Sequence, residues 1–343
     1  MKDNDSATLS GEIAAEPSGE RLPTFQDVLL ARARLASHLP RTPMFDYPAL
    51  NSHVGATVFV KHENGQPTGV FKVRGAIHLV SQLSADERAR GVITYSTGNH
   101  GQSIAYAARM FGVAARVVMP DASNPGKVAA MRGFGAEVLF HGPRFDDARR
   151  HAEGLARESG YRLVSAGNER LLIAGVATQT LEMLEDQPDL DAIILPVGGG
   201  SNAAGACLVA STVAPRCRVI GVQSDAASAA HDSWREGRLV ERGNTTFAEG
   251  LATGAAFELP QRLLRAHLSD FVLVGDDEIK RAMVWMLAKA HTLAEGAGAA
   301  ALAAAYRLRA ELHGRKIGIV CSGGNSSLEH LELALESRCH DEG

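Results

Sequence analysis

The feature that most constrains this chain is a series of short, unbroken apolar runs separated by amphipathic stretches of helix length. In Ala192-Ile193-Ile194-Leu195 and Ile317-Gly318-Ile319-Val320 no polar side chain interrupts the run. A strand that is apolar on both faces has to be covered on both, which is the mark of a parallel sheet packed between helices. The pattern predicts strands over Thr57–Lys61, Gly91–Tyr95, Ala115–Met119, Glu137–Phe140, Arg162–Ser165, Asp191–Val197, Arg218–Gln223, Phe271–Val274 and Lys316–Ser322. Helices are predicted near Arg74–Leu83, Gly101–Phe111, Arg144–Ser159, Leu171–Leu184, Ala203–Val213, Asp277–Lys289 and Ala299–Leu312. This alternation predicts an α/β fold with helices on both sheet faces.

A length of 343 residues leaves room for two domains of ordinary size, or one with an insertion. With 45% apolar and 22% charged residues the chain has the material for a core, which excludes a disordered polymer. Lys plus Arg number 35 against 39 Asp plus Glu, a net charge of −4, so no basic field marks a nucleic-acid or anionic-membrane partner. Cys207, Cys217, Cys321 and Cys339 are scattered without a Cys-x-x-Cys pair. Their spread argues against a zinc ribbon, a redox dithiol or a disulfide framework, and fits a reducing cytoplasm. The polar Met1–Leu22 reads as a disordered leader, with no apolar core of a signal peptide. The small-apolar run Gly296–Tyr306 falls short of the roughly 20 residues a membrane span needs.

Glycine is in excess: 35 residues, about a tenth of the chain against a usual share of roughly 7%. Four polar, glycine-bearing loops fall at or near strand ends: Gly65–Lys72, Ser96–Gly101, Gly198–Asn202 and Ser322–Asn325. In open α/β sheets ligands sit beyond the carboxyl ends of the strands. Four such loops in one chain predict a shared cleft.

Lys72 follows the breaker Pro67-Thr68-Gly69 and opens a helical pattern. A cation at a helix N-terminus is disfavoured by the macrodipole. The charge of Arg74 and burial among Val70, Phe71 and Val73 act in the same direction and favour the neutral amine. Such a lysine suits Schiff-base chemistry; an exposed lysine at a helix start is the plain alternative. Gly198-Gly199-Gly200-Ser201-Asn202 precedes a helix, where consecutive backbone N–H groups form an anion site suited to phosphate. The simpler reading is a helix entry capped by Ser201 or Asn202. Gly198-x-Gly200-x-x-Ala203 also satisfies a dinucleotide fingerprint, although the nearest acidic residue, Asp225, lies two residues past the end of the next strand. Ser96–Gly101 offers hydroxyls, the Asn99 amide and exposed backbone donors, enough to hold a carboxylate or simply to cap a helix. Ser322 presents a hydroxyl to a buried heteroatom, or is a turn serine.

Lys72 in Gly69-Val70-Phe71-Lys72-Val73-Arg74-Gly75, with Ser96–Gln102, Gly198–Ser201 and Cys321–Asn325, resembles the fold-type II pyridoxal-phosphate enzymes. Within them the chain is most similar to the threonine/serine dehydratase and serine racemase branch. The resemblance spans about Pro23 to Leu331 and includes Ala248–Leu251 and Glu295–Ala301. It implies a tryptophan synthase β-like fold: two open, twisted, mostly parallel sheets flanked by helices, with a small domain inserted in a large one. We expect a leader over 1–22, a large cofactor-binding domain over 23–88 and 165–343, and a small mobile domain over 89–164.

The resemblance further implies pyridoxal 5'-phosphate as cofactor, held as a Schiff base by Lys72. Asn99 contacts its 3-hydroxyl, Gly198, Gly199, Gly200 and Ser201 wrap its phosphate, and Ser322 meets its pyridine nitrogen. Ser96, Thr97, Gly98 and His100 hold the substrate carboxylate, with Glu295 facing the same cleft. The implied activity is dehydration and deamination of a β-hydroxy amino acid such as threonine or serine, or a bulkier or acidic relative, to a 2-keto acid and ammonia.

Thr97 stands where threonine dehydratases carry Ala and serine racemases Ser. As a hydroxyl opposite Lys72 it leaves a racemase as the alternative, while a dinucleotide-binding oxidoreductase is the alternative of another class. Gln223 and Ala229 replace the acidic residues of the racemase cation site, so no metal is expected. The chain stops soon after Asn325, which argues against the regulatory domain of feedback-inhibited dehydratases and for a catabolic role. Relatives of this kind are commonly dimers, and a homodimer is expected. His62 and Glu63 read as a solvated strand end, Lys127 as a structural helix opener, and Trp234 and Trp285 as packing residues.

Overall fold

A computed structural model of the protein describes residues 21–337. Most of the expected leader and Cys339 therefore lie outside the described residues. The strands are β1 (Met44–Asp46), β2 (Thr57–His62), β3 (Val92–Tyr95), β4 (Ala115–Met119), β5 (Glu137–Phe140), β6 (Arg162–Leu163), β7 (Ala192–Pro196), β8 (Arg218–Ser224), β9 (Asp270–Val274) and β10 (Lys316–Cys321). They form two sheets. The six-stranded sheet runs β1-β2-β10-β7-β8-β9 and the four-stranded sheet β5-β4-β3-β6. Every pairing is parallel except the edge pair β1–β2. The expected two-sheet α/β architecture is what the chain adopts.

The apolar runs behave as their pattern requires. On one face of the larger sheet Ile194, Ile317 and Ile319 pack with Val58, Val60 and Met286; on the other Ile193, Leu195 and Val320 pack with Ala206 and Met183. Burying each of these large aliphatic side chains contributes about 1.5–3 kcal/mol. The helix Lys72–Val80 turns Val73, Ile77 and Val80 toward a third cluster with Val92, Ile104 and Val117, anchoring it on the smaller-sheet side. It crosses Arg170–Asp186 at a glycine pair: a Cβ on Gly175 would stand 2.7 Å from the Gly75 Cα. That contact lets the two helix backbones touch.

Strand β1 was not predicted, because three residues are too few to show an alternation. The short helices Phe25–Leu35 and Ala85–Arg90 were also missed, although each opens on a capping box, Thr24 with Asp27 and Ser84 with Glu87. The helix expected over Ala299–Leu312 runs instead over Gly296–Arg307, starting inside a glycine-rich segment that intrinsic propensity disfavours. Among the described residues no helix is long and apolar enough to cross a membrane.

The four glycine loops leave the carboxyl ends of β2, β3, β7 and β10. Because β2, β10 and β7 are neighbours in the larger sheet, three of the loops emerge side by side. The fourth approaches from β3 of the smaller sheet.

Candidate active site

Lys72 is placed by lacing between the loops after β2 and β10. Gly69, at φ +71°, closes a turn by donating its N–H to Gln66 O at 2.7 Å. Phe71 N–H donates to Ser322 O at 3.0 Å and Gly324 N–H to Gly69 O at 2.9 Å. Lys72 is then the first residue of its helix, and its side chain enters a cleft shared with Asn99, the Gly198–Asn202 loop, Glu295 and Ser322. Burial holds the Lys72 amine below the ordinary lysine range, partly opposed by the charge of Glu295. Burial likewise pushes the Glu295 carboxyl upward, against the Asn99 hydrogen bond and the charges of Lys127 and Lys72.

The expected contribution of Arg74 to the Lys72 amine needs correction. Its guanidinium is fully engaged with Glu63 and Glu182, and burial rather than a neighbouring positive charge lowers Lys72. The view of His62 and Glu63 as a solvated strand end is also overturned: Glu63 is 0% and His62 7% exposed. Thr42 donates to Glu63 at 2.6 Å, and Lys61 donates to Glu182 at 2.6 Å in the same buried cluster.

Gly200 caps the helix Ser201–Val213 at φ +87°, a left-handed conformation that glycine adopts without strain. This displaces the reading of Ser201 or Asn202 as cap; both lie inside the helix. At Gly198 a Cβ would stand 2.1 Å from Gly250 O, so only hydrogen fits. The first turn of a helix leaves its N–H groups without intrahelical partners. Beside them the buried Asn202 Nδ2 has no hydrogen-bond partner, while its Oδ1 accepts from Gln179 Nε2. Donors of this kind converging on a helix N-terminus suit an anion.

Asn99 starts the helix Asn99–Met110 and donates from Nδ2 to both Glu295 oxygens, at 2.8 and 3.1 Å. Ser96 Oγ accepts from Gly98 and Gly101 N–H at 3.2 and 3.1 Å, holding the loop that enters this helix. Thr97 is exposed. The His100 ring is turned inward, with Nε2 2.9 Å from Thr94 Oγ1; burial, with the charge of Lys72, pushes it down to about 3, so the imidazole is neutral. Thus Lys72, Asn99, Gly198–Ser201, Glu295 and Ser322 line one cleft, whereas Ser96, Thr97, Gly98 and His100, beside Asn99 in the chain, are not part of its lining. Asp225, the partner a dinucleotide fingerprint would need, sits near Gly275 rather than in the cleft lining.

Three residues of this region carried no sequence signal. Lys127, on the helix Pro125–Gly133, pairs with Glu249, and its Nζ would lie 3.4 Å from a Cβ on Gly98. Asn202 stands in the sequence only as the end of the glycine loop and a candidate cap, and Asn325 only as the end of its own loop, with no role assigned to either side chain.

A family model described as "Pyridoxal-phosphate dependent enzyme" matches residues 35–323. A Saccharomyces cerevisiae protein named L-threo-3-hydroxyaspartate ammonia-lyase is 35% identical over 318 residues, 92% of this chain and 98% of that one. A Schizosaccharomyces pombe serine racemase is 33% identical over 309 residues, 90% of this chain and 96% of that one. The processed form of threonine deaminase isoform 2 from Solanum lycopersicum superposes with a TM-score of 0.88 at 30% identity, covering 93% of this chain and 91% of its own.

Proposed function

The chain belongs to the family of pyridoxal-phosphate dependent enzymes, and from that premise we propose that it dehydrates and deaminates a β-hydroxy amino acid, with no net change in water, to give a 2-keto acid and ammonia. The observation that carries this reading is that a buried lysine, whose amine burial holds below the ordinary lysine range, and a glycine-lined helix N-terminus open into one cleft. The cleft lining fits the cofactor: Lys72 would offer an amine to its aldehyde, Gly198–Ser201 with the unpartnered Asn202 Nδ2 would hold its phosphate, Asn99 would meet its ring oxygen and Ser322 its ring nitrogen. When bound, pyridoxal phosphate supplies the electron sink that lets the Cα–H bond break.

The chain's own groups do the rest. Ser96, Gly98 and the start of the helix Asn99–Met110 orient the substrate carboxylate. Burial lowers the pKa of the Lys72 amine and so favours the neutral form, which is the form that can take the α-proton. The ammonium so formed faces Glu295, whose charge steadies it. A neutral hydroxyl at Ser322, where a carboxylate would enforce a protonated ring, favours early loss of the β-hydroxyl. That group leaves as water, and the released enamine takes up one water to give keto acid and ammonia, so the reaction balances as amino acid to keto acid plus ammonia.

Relatives named for threonine, serine and 3-hydroxyaspartate define the substrates to test. A racemase needs a proton donor opposite Lys72. Thr97 is the candidate, but it is exposed and outside the cleft lining, which favours elimination. The four-stranded sheet, whose strands fall between Val92 and Leu163, supports a small mobile domain over 89–164 set into a large one over 23–88 and 165–343. A cytoplasmic homodimer completes the reading. The test is incubation with L- and D-serine, threonine and both threo and erythro 3-hydroxyaspartate, with keto acid and ammonia measured. Racemised serine without ammonia overturns it.

A further inference from the structure

We infer that Asn325 is a positioning residue that fixes which end of the Asn99 amide faces the cofactor, and so sets the electronic state of the bound ring. The inference rests on the cofactor assignment above. Asn325 lies in the loop after β10, and its Nδ2 donates to Thr68 O at 2.9 Å and to Asn99 Oδ1 at 2.9 Å. Its own Oδ1 is pressed against Gly69, where a Cβ would come within 2.4 Å of it. One side chain therefore joins the loop after β2, the loop after β10 and the helix that starts at Asn99.

The consequence is directional. An amide has one end that donates and one that accepts. Because the Asn325 N–H occupies Asn99 Oδ1, Asn99 is left with Nδ2 facing Glu295 and the cleft, where it donates at 2.8 and 3.1 Å. Two partners bracket the Asn99 amide, one donor and one acceptor, and a flip would lose all three hydrogen bonds at once. A donor held against the cofactor's ring oxygen favours the ionised form of that oxygen, which the absorption spectrum reads directly.

The test uses the purified, cofactor-loaded protein and its absorption spectrum across pH. Asn325→Asp keeps the shape but replaces the donor with a carboxylate that Asn99 Oδ1 repels; the amide turns, and an acceptor faces the cofactor. Asn325→Ala removes the clasp without adding charge and carries the comparison if the aspartate variant does not fold. In both, the ratio of the visible to the near-ultraviolet band shifts by about tenfold, the scale of one hydrogen bond. Asn99→Ala gives a shift of the same sign, and Asn99→Ala combined with Asn325→Ala gives no more than Asn99→Ala alone. Unchanged bands in both Asn325 variants, or a shift that adds to that of Asn99→Ala, overturn the inference. A wild-type protein that takes up no pyridoxal phosphate overturns the cofactor assignment itself, and the inference with it, before any variant is compared.

Discussion

Arg74 and Glu63 meet at two points, Nε to Oε2 and Nη2 to Oε1, both 2.8 Å, inside a region where Arg74 is 2% and Glu63 0% exposed. The same guanidinium reaches Glu182 Oε1 at 2.7 Å, and Lys61 neutralises the second acid. Two acids and two bases thus balance in the dry base of the helix that carries Lys72.

Removing one member leaves a buried charge without its partner. Arg74→Met is expected to cost about 3–5 kcal/mol of folding stability. Arg74→Lys recovers only part, because an ammonium cannot make the two-point contact with Glu63 while also reaching Glu182. Urea unfolding measures both, and an Arg74→Met protein as stable as wild type contradicts the account.

Among the described residues Lys72 is the lysine that lines the cleft with the glycine cradle. Lys72→Ala should abolish keto-acid formation and the visible band, with far-ultraviolet circular dichroism unchanged. Borohydride reduction of the wild-type protein followed by peptide mass mapping should put the cofactor on Lys72. A reduced adduct on any other lysine refutes the assignment.

The glycine cradle makes a sharper comparison. At Gly198 an added methyl meets a backbone oxygen at 2.1 Å, while at Gly154, inside the helix Phe145–Ser159, nothing lies within 4 Å. Gly198→Ala is overpacked by about 1–3 kcal/mol, which lowers cofactor affinity by about tenfold to a hundredfold. Gly154→Ala stabilises its helix by up to about 1 kcal/mol and leaves affinity alone. Fluorescence titration with pyridoxal phosphate and thermal melts distinguish the two; equal affinities would count against the cradle.

Much of this arrangement was legible along the chain, and what was not shares a cause. The unbroken run at Ile193 and Ile194 announced a strand covered on both faces, and the tripled glycine at Gly198 announced an anion loop, because each signal is local. Glu63 was misread since its partners lie 11 and 21 residues away, at Arg74 and Thr42. The contact from Glu182 to Arg74 spans 108 positions, and that from Asn325 to Asn99 spans 226. No periodicity encodes such pairs; they exist only once the sheet has brought the loops together.

Acid should destabilise the protein in a defined window. His78 is 2% exposed, its Nδ1 is buried without a partner, and burial pushes it down from 6.5 to about 4. Between those values the unfolded chain binds a proton that the folded protein does not, so stability falls as pH drops. The loss reaches about 3 kcal/mol at pH 4, and His100 acts in the same direction. Urea midpoints from pH 7 to 4 test this: His78→Gln should flatten the slope, and an identical slope in the variant refutes it.

The place of β10 between β2 and β7 has a consequence for synthesis. The strand at the heart of the larger sheet is the last of the ten to leave the ribosome, so β2 and β7 have to wait with unpaired edges until it slots between them. An exposed edge is a template for mispairing with other chains. Loops from all three strands line the cleft proposed for the cofactor, so that cleft is complete only after the insertion. Uptake of pyridoxal phosphate by a newly made chain is then expected to report that these sheet edges have been paired.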